Sequence, residues 1–367
     1  MHTRILTAMS GGVDSGVSAY LMREKYKNCS GATMLLFLNE ALNIPGRYPC
    51  CTFENIQDAK KICEILNIDH EVLNFMSEFE EHVIKNFVQV YEAGATPNPC
   101  IACNKYIKFD LFLNYALKNG FNKIATGHYA KIEFNNNRYF LKKGEDISRD
   151  QSYVLYCLTQ EQLSHVDFPL GDRKKSEVRI LAGNLNLPVA KKHDSQDICF
   201  VPDGNYSGFI KGYTGKNYLP GEFVNTSGKI LGVHKGIINY TIGQRRGLGI
   251  SSSSRLYISE IDPASNKIIL AHENDPDLYS KYIEVNKINL IAVDDIKNKI
   301  NACVKIRYNQ KELPAMIFRT ESDKLLIEFP EPVMTPARGQ SAVIYNGDYV
   351  IGGGIISRAF NSLNRKI

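Results

Sequence analysis

The sequence predicts an α/β protein in which an N-terminal doubly wound parallel sheet is followed by a small mixed central domain and a C-terminal β-barrel. Three observations predict it. Apolar strand-like runs alternate with amphipathic helical stretches over the first 126 residues, and a Ser-Gly-Gly turn directly follows the first run. From about residue 282 the pattern becomes two-residue alternation, with a hairpin signal at Asn346-Gly347.

Residues 4–9 form the first expected strand, and the helix after the glycine turn carries Val17, Tyr20 and Leu21 on one face. A second apolar run covers 32–38. The next helix places Ile56, Ala59, Cys63 and Leu66 at helical spacing, and a third strand lies around 72–75. Another helix turns Val83, Phe87 and Tyr91 inward. A Pro/Cys-rich stretch at 96–103 reads as a loop. Beyond it, a helix with Phe109, Phe112, Leu113 and Leu117 stops near Gly120 and feeds a strand at 123–126. After about residue 205 glycine, serine and tyrosine become frequent and helical periodicity is lost. Further on, Ala302, Val304, Ile306 and Tyr308 are expected on one strand face, opposite Cys303, Lys305 and Arg307. The expected domains are 1–205 (nucleotide-binding and catalytic), 206–280 (central) and 281–367 (barrel).

At 367 residues, 44% hydrophobic and 23% charged, with no low-complexity tract, the chain is expected to fold throughout as more than one domain. No secretory signal and no run of about 18 apolar residues is found, so no membrane partner is expected. Nine irregularly spaced cysteines favour reduced thiols and a cytoplasmic location over a disulfide framework. The net charge of +5 is mildly basic, and the short clusters Lys142-Lys143, Arg173-Lys174-Lys175, Lys191-Lys192 and Arg245-Arg246 read individually as solvated faces.

Ser10-Gly11-Gly12-Val13-Asp14-Ser15 lies where a ligand loop belongs, at the carboxyl end of the first parallel strand and the start of the first helix. Glycines permit close backbone approach, amides at the helix start point at an anion, and two hydroxyls add donors. Phosphate is the natural occupant. Asp14 would repel it unless a cation intervenes, so its expected role is to help hold Mg²⁺. Neither G-x4-G-K-[ST] nor G-x-G-x-x-G after the first strand occurs. The SGGVDS string resembles the PP-loop of the ATP pyrophosphatase superfamily, with its adenine nucleotide α-hydrolase-like fold. Members of that superfamily split ATP between the α- and β-phosphates.

Thr96-Pro97-Asn98-Pro99-Cys100-Ile101-Ala102-Cys103-Asn104 and Asp194-Ser195-Gln196-Asp197-Ile198-Cys199-Phe200 implicate three thiols. A bare C-x-x-C could be redox-active or half of a zinc site, but no fourth ligand at matched spacing is evident. SGGVDS, TPNPC-x-x-CN, ATGHYA, RDQSYVL, DSQDICF, TIGQRRGLGI and the terminal GQSAV-x-YNGD occur in one order along nearly the whole chain. Together they resemble the tRNA-specific 2-thiouridylase family, which implies adenylation of a uridine C2 oxygen and its replacement by sulfur. It also implies the wobble uridine of lysine, glutamate and glutamine tRNAs as target.

The resemblance implies that ATP is held by Ala8, Met9, Ser10, Gly11, Gly12, Val13, Asp14 and Ser15 with Gly127, and that Met34 lies against the adenine. Cys103 matches the catalytic nucleophile and Cys199 the carrier of persulfide sulfur, with Asp14 completing the catalytic set. Asn98, Pro99 and Cys100 match the segment facing the flipped-out base. His128, Arg149, Asp150, Gln151, Arg307, Tyr308 and Gln340 match positions that touch tRNA. Without the resemblance His128 would read as a structural histidine and Arg307 as a solvent-facing strand residue. The implied partners are tRNA and a sulfur source: a cysteine desulfurase, a persulfide carrier or inorganic sulfide.

Many family members carry Asp where this chain has Cys100. With Cys100, Cys103 and Cys199, three thiolates could hold a [4Fe-4S] cluster whose fourth iron binds hydrosulfide, and the extra thiol favours that reading over a Cys199 persulfide. Cys50, Cys51 and Cys63 read as core residues. Two rival functions remain open at this point: a PP-loop sulfurtransferase or ligase for a small molecule, and a non-catalytic RNA-binding iron–sulfur protein.

Overall fold

The computed structural model describes residues 3–38, 53–193 and 197–362. These form two compact units, the first made of 3–38, 53–84, 100–193, 197–205 and 348–350 and the second of 85–99, 206–347 and 351–362.

The first unit is built on a parallel sheet in the order His70–Asn74, Cys29–Leu35, Ile5–Ala8, Lys123–Ala125, Val166–Asp167. Its central strand is wholly buried, as the continuous apolar run of a strand covered on both faces requires. Ile5 pairs with Cys29 on one side and Lys123 on the other. The chain therefore leaves the centre in one direction and returns on the other side, and the crevice at this switch point is where ligands of such sheets bind. Helices Val13–Tyr26 and Phe53–Leu66 pack beside it through Val13, Val17, Ala59, Ile62 and Leu66. Cys63 has the expected core role: its sulfur would lie 2.6 Å from a Cβ on Gly31, and burial pushes its thiol up to about 12. Cys50 and Cys51 lie outside the described residues.

The stretch 96–103 departs from its reading as a loop. A helix begins at Pro99, runs through Ala102, continues as a π-helical segment Cys103–Leu111 and ends as Phe112–Lys118. Proline at the first helical position needs no amide partner, so it starts this helix as readily as it punctuates a loop. Both cysteines of the C-x-x-C thus sit in its first turns.

In the second unit Phe87 packs edge-on against Phe209 at 6.1 Å and Tyr91 stacks on Tyr206 at 5.3 Å. These aromatic contacts draw 85–99 away from the unit with which the sequence reading grouped it. A four-stranded sheet follows, ordered Leu256–Asp262, Lys267–His272, Gly221–Asn225, Ile230–His234. The last strands close a barrel: Tyr279–Leu290, Lys324–Met334, Leu313–Glu321, Ile300–Lys305, Ser341–Asn346, Tyr349–Phe360, and back to the first. Val304 and Ile306 point into its core, and the Asn346-Gly347 turn has Gly347 at φ +59°. Tyr308 is exposed because the strand stops at Lys305 and alternation lapses there. Among the described residues no helix is long and apolar enough to cross a membrane.

Candidate active site

The loop 10–15 occupies the switch point. Gly11 has φ +67°, and a Cβ there would stand 2.2 Å from the Asn55 carbonyl oxygen, so only glycine fits. Ser15 is buried; its hydroxyl donates to the Gly12 carbonyl (3.0 Å) and accepts from the Ser10 amide (3.2 Å). The amides of Gly11, Gly12 and Val13 find no acceptor among the described residues, which leaves a cradle of donors at a helix start. Ala8 and Met9 are buried beneath it, and Met34 is half-buried near the carboxyl end of the adjacent strand. A Cβ on Gly127 would stand 3.1 Å from the Asp14 backbone, so this glycine also permits a close approach.

The cation beside Asp14 is a lysine. Lys175 Nζ donates to both Asp14 oxygens at 2.8 Å, and the Tyr129 hydroxyl donates to Oδ1 at 2.8 Å. Lys175 is 8% exposed and opens the helix Lys175–Asn184. Its ammonium neutralises the carboxylate of loop 10–15, the charge that the sequence reading assigned to Mg²⁺. ATP fits the donors present. A Mg²⁺ ion taking Asp14 as ligand would share that carboxylate with Lys175 or displace it.

Cys100 and Cys103 are one helical turn apart, and so share a face of their helix. Cys100 is exposed and Cys103 is 7% exposed. Burial pushes the Cys103 thiol up, partly offset by the Lys108 ammonium. Crowding by protein raises Cys100 in the same way, although its side chain reaches solvent. Cys199 is half-buried in a turn closed by Val201 N–H to the Ile198 carbonyl at 2.8 Å. Phe200 anchors that turn, edge-on to Phe79 at 5.8 Å. Among the described residues no three His, Cys, Asp or Glu side chains are gathered closely enough to hold a metal ion. Cys100, Cys103 and Cys199 are not drawn together into such a group in this structure. Asp194, Ser195 and Gln196 lie outside the described residues.

Several residues matched to tRNA contacts do structural work here. His128 is 7% exposed, bonds through Nδ1 to Thr126 Oγ1 at 2.7 Å and packs against Phe109 and Phe168. Desolvation holds it well below the usual histidine range, hence neutral. Asp150, also buried, accepts from the Gly144 and Ser152 amides and the Ser152 hydroxyl. Gln151 Oε1 accepts from the Tyr129 amide at 2.9 Å, and thereby steadies the tyrosine that holds Asp14. Arg149 is exposed.

In the second unit Gln340 Nε2 donates to the Thr96 and Pro97 carbonyls at 3.2 and 3.1 Å, bracing the approach to Asn98 and Pro99. Arg307 donates to the Ile242 and Thr335 carbonyls, and Tyr308 is exposed beside it in sequence. Sequence reasoning missed Lys175, Tyr129 and Lys192. The two lysines were visible only as members of basic clusters, and Tyr129 only inside a motif.

Three family models match the chain in succession: a tRNA methyl transferase HUP domain over residues 3–203, a tRNA methyl transferase PRC-barrel domain over 207–272 and an aminomethyltransferase β-barrel domain over 280–356. Among relatives, the chain is 46% identical over 361 residues to tRNA-specific 2-thiouridylase MnmA 2 of Thermoanaerobacter sp. (strain X514), covering 98% of this chain and 99% of that protein. It is 47% identical over 362 residues to MnmA 1 of the same strain, covering 97% and 98%. For the enzyme of Lachnoclostridium phytofermentans the identity is 43% over 355 residues, covering 96% and 99%.

Proposed function

The chain belongs to the tRNA-specific 2-thiouridylase family, and from that premise we infer that it adenylates the C2 oxygen of a tRNA uridine with ATP and replaces that oxygen with sulfur. The target is the wobble uridine of lysine, glutamate and glutamine tRNAs. One observation carries this reading: a phosphate cradle with open amides and a charge-neutralised Asp14 shares a compact unit with Cys100, Cys103 and Cys199. A small-molecule ligase would leave the rest of the chain without a task, and the intact cradle argues against a vestigial nucleotide loop.

The C2 carbonyl is a poor electrophile with a poor leaving group. Attack of its oxygen on the α-phosphorus expels pyrophosphate and turns that oxygen into part of AMP, a good leaving group. Mg²⁺ would enter with the nucleotide and offset the charge of its phosphates, while the cation this chain itself supplies at Asp14 is Lys175. For sulfur, we assign the persulfide route. A desulfurase or persulfide carrier loads Cys199, the Cys103 thiolate attacks the Cys199 sulfur, and the S–S bond breaks to release hydrosulfide, which attacks C2 as AMP leaves. A Cys103–Cys199 disulfide remains, and two external thiols, or one dithiol, reset it by exchange and are themselves oxidised to a disulfide. The test is sulfur incorporation into bulk tRNA with matching AMP and pyrophosphate. Failure to form AMP in the presence of tRNA would overturn the assignment.

The choice between persulfide and cluster falls on Cys100. Cys100→Asp is expected to stay within about threefold of the parent when a desulfurase supplies sulfur, and to contain no iron, since a persulfide needs only Cys103 and Cys199. Loss of activity together with loss of iron from anaerobically prepared protein would instead establish the three-thiolate cluster.

Binding of tRNA is expected to be salt-sensitive, because lysines and arginines such as the exposed Arg245-Arg246 pair release counterions from phosphates. Affinity should fall at least about tenfold between about 50 and about 200 mM salt. An unchanged affinity would count against a tRNA substrate.

A further inference from the structure

Lys192 meets loop 10–15 at a backbone carbonyl rather than at one of its open amides. Its ammonium donates to three oxygens: the Gly11 carbonyl at 3.1 Å, Asn55 Oδ1 at 2.6 Å and Asp58 Oδ2 at 2.9 Å. Its backbone is fastened as well. The Lys192 amide donates to the Val189 carbonyl at 2.8 Å, and Arg179 Nη1 donates to the Lys192 carbonyl at 3.2 Å. The ammonium is therefore held at a defined place by its own chain and by the helix Phe53–Leu66.

A trans peptide is planar, with its carbonyl and amide pointing in opposite directions. The Gly11 carbonyl and the Gly12 amide belong to one peptide, so a cation that fixes the carbonyl outward fixes the amide inward, toward the cradle. Gly11, at φ +67°, lies in a region where glycine is free to rotate, so its own backbone preference does not lock that peptide. The Gly12 amide is one of those with no acceptor among the described residues.

We propose that Lys192 is a positioning residue for the adenylation step, which orients the Gly11–Gly12 peptide so that the Gly12 amide faces the nucleotide phosphates. The proposal rests on the reading of loop 10–15 as the ATP cradle. Charge supports it: a hydrogen bond from an ammonium to the carbonyl polarises the peptide and strengthens its amide as a donor.

The test compares ATP with adenosine, which shares the base and ribose but lacks phosphates, on wild-type protein and on Lys192→Met and Lys192→Arg. Lys192→Met should weaken ATP about tenfold, the loss of one hydrogen bond to a charged group, while adenosine affinity stays within about twofold. Lys192→Arg should recover most of the ATP affinity, since it restores a cation at the carbonyl. In turnover assays, the apparent KM for ATP should rise more than kcat falls. Equal weakening of ATP and adenosine would mean that Lys192 only supports the fold and would overturn the proposal, as would unchanged ATP affinity in Lys192→Met. Wild-type protein that binds adenosine but gains nothing from the phosphates would overturn the cradle reading itself, a result separable from either.

Discussion

Cys103→Ser and Cys199→Ser are each expected to lower sulfur incorporation about a thousandfold or more, while AMP formation on tRNA continues. A serine at 199 cannot carry sulfane sulfur, and a serine at 103 is scarcely ionised and is a poor nucleophile toward an S–S bond. Adenylation is expected to draw on the separate loop 10–15, so the two half-reactions should come apart. Burial pushes the Cys103 thiol above the ordinary cysteine range, so at neutral pH most of it is protonated in the free enzyme. Below that raised pKa the thiolate fraction grows about tenfold per pH unit, and single-turnover sulfur transfer should rise with pH accordingly. Lys108 favours the thiolate, and Lys108→Met should move the profile to higher pH. Sulfur transfer by Cys199→Ser at the parent rate, with a desulfurase supplied, would remove the persulfide scheme.

The parts of this molecule legible in its sequence are those set by local pattern. The buried run 5–8, the glycine turn after it and the Asn346-Gly347 hairpin each satisfy a short-range rule that nothing distant overrides. The helix at Pro99 was hidden because Thr-Pro-Asn-Pro punctuates loops and starts helices alike. Of its π-helical continuation, Cys103–Leu111, only the end from Phe109 shows helical spacing, because a π-helical turn departs from the 3.6-residue period.

The site was legible as motifs but not as contacts. Lys175 and Lys192 read as solvated because the groups that claim them, Asp14 and Gly11, lie 161 and 181 residues away. Likewise, a motif does not distinguish a residue that touches RNA from one that holds up its neighbours. His128 and Asp150 are buried among the groups they hold, and Arg149 is exposed.

Lys175→Met is expected to lower adenylation at least about a hundredfold, more than Asp14→Asn does, because it strips the counter-charge and leaves a carboxylate facing the ATP phosphates. Stability should fall by only about 1 to 3 kcal/mol, less than for a fully buried pair, because the Asp14 side chain is 32% exposed. Asp14→Ala and Ser10→Ala should also impair AMP formation with the fold intact, since both residues lie in the loop at the sheet's switch point. The double variant Lys175→Met/Asp14→Asn separates two mechanisms. If Lys175 acts by neutralising Asp14, removing the carboxylate repairs much of the loss, and the double variant adenylates faster than Lys175→Met alone. If Lys175 instead swings from Asp14 to the phosphates when ATP arrives, the double variant stays as slow as the single one, and Asp14 serves only to park the ammonium. Adenylation at the parent rate in Lys175→Met would show that the cradle does not depend on Lys175 and would overturn both mechanisms.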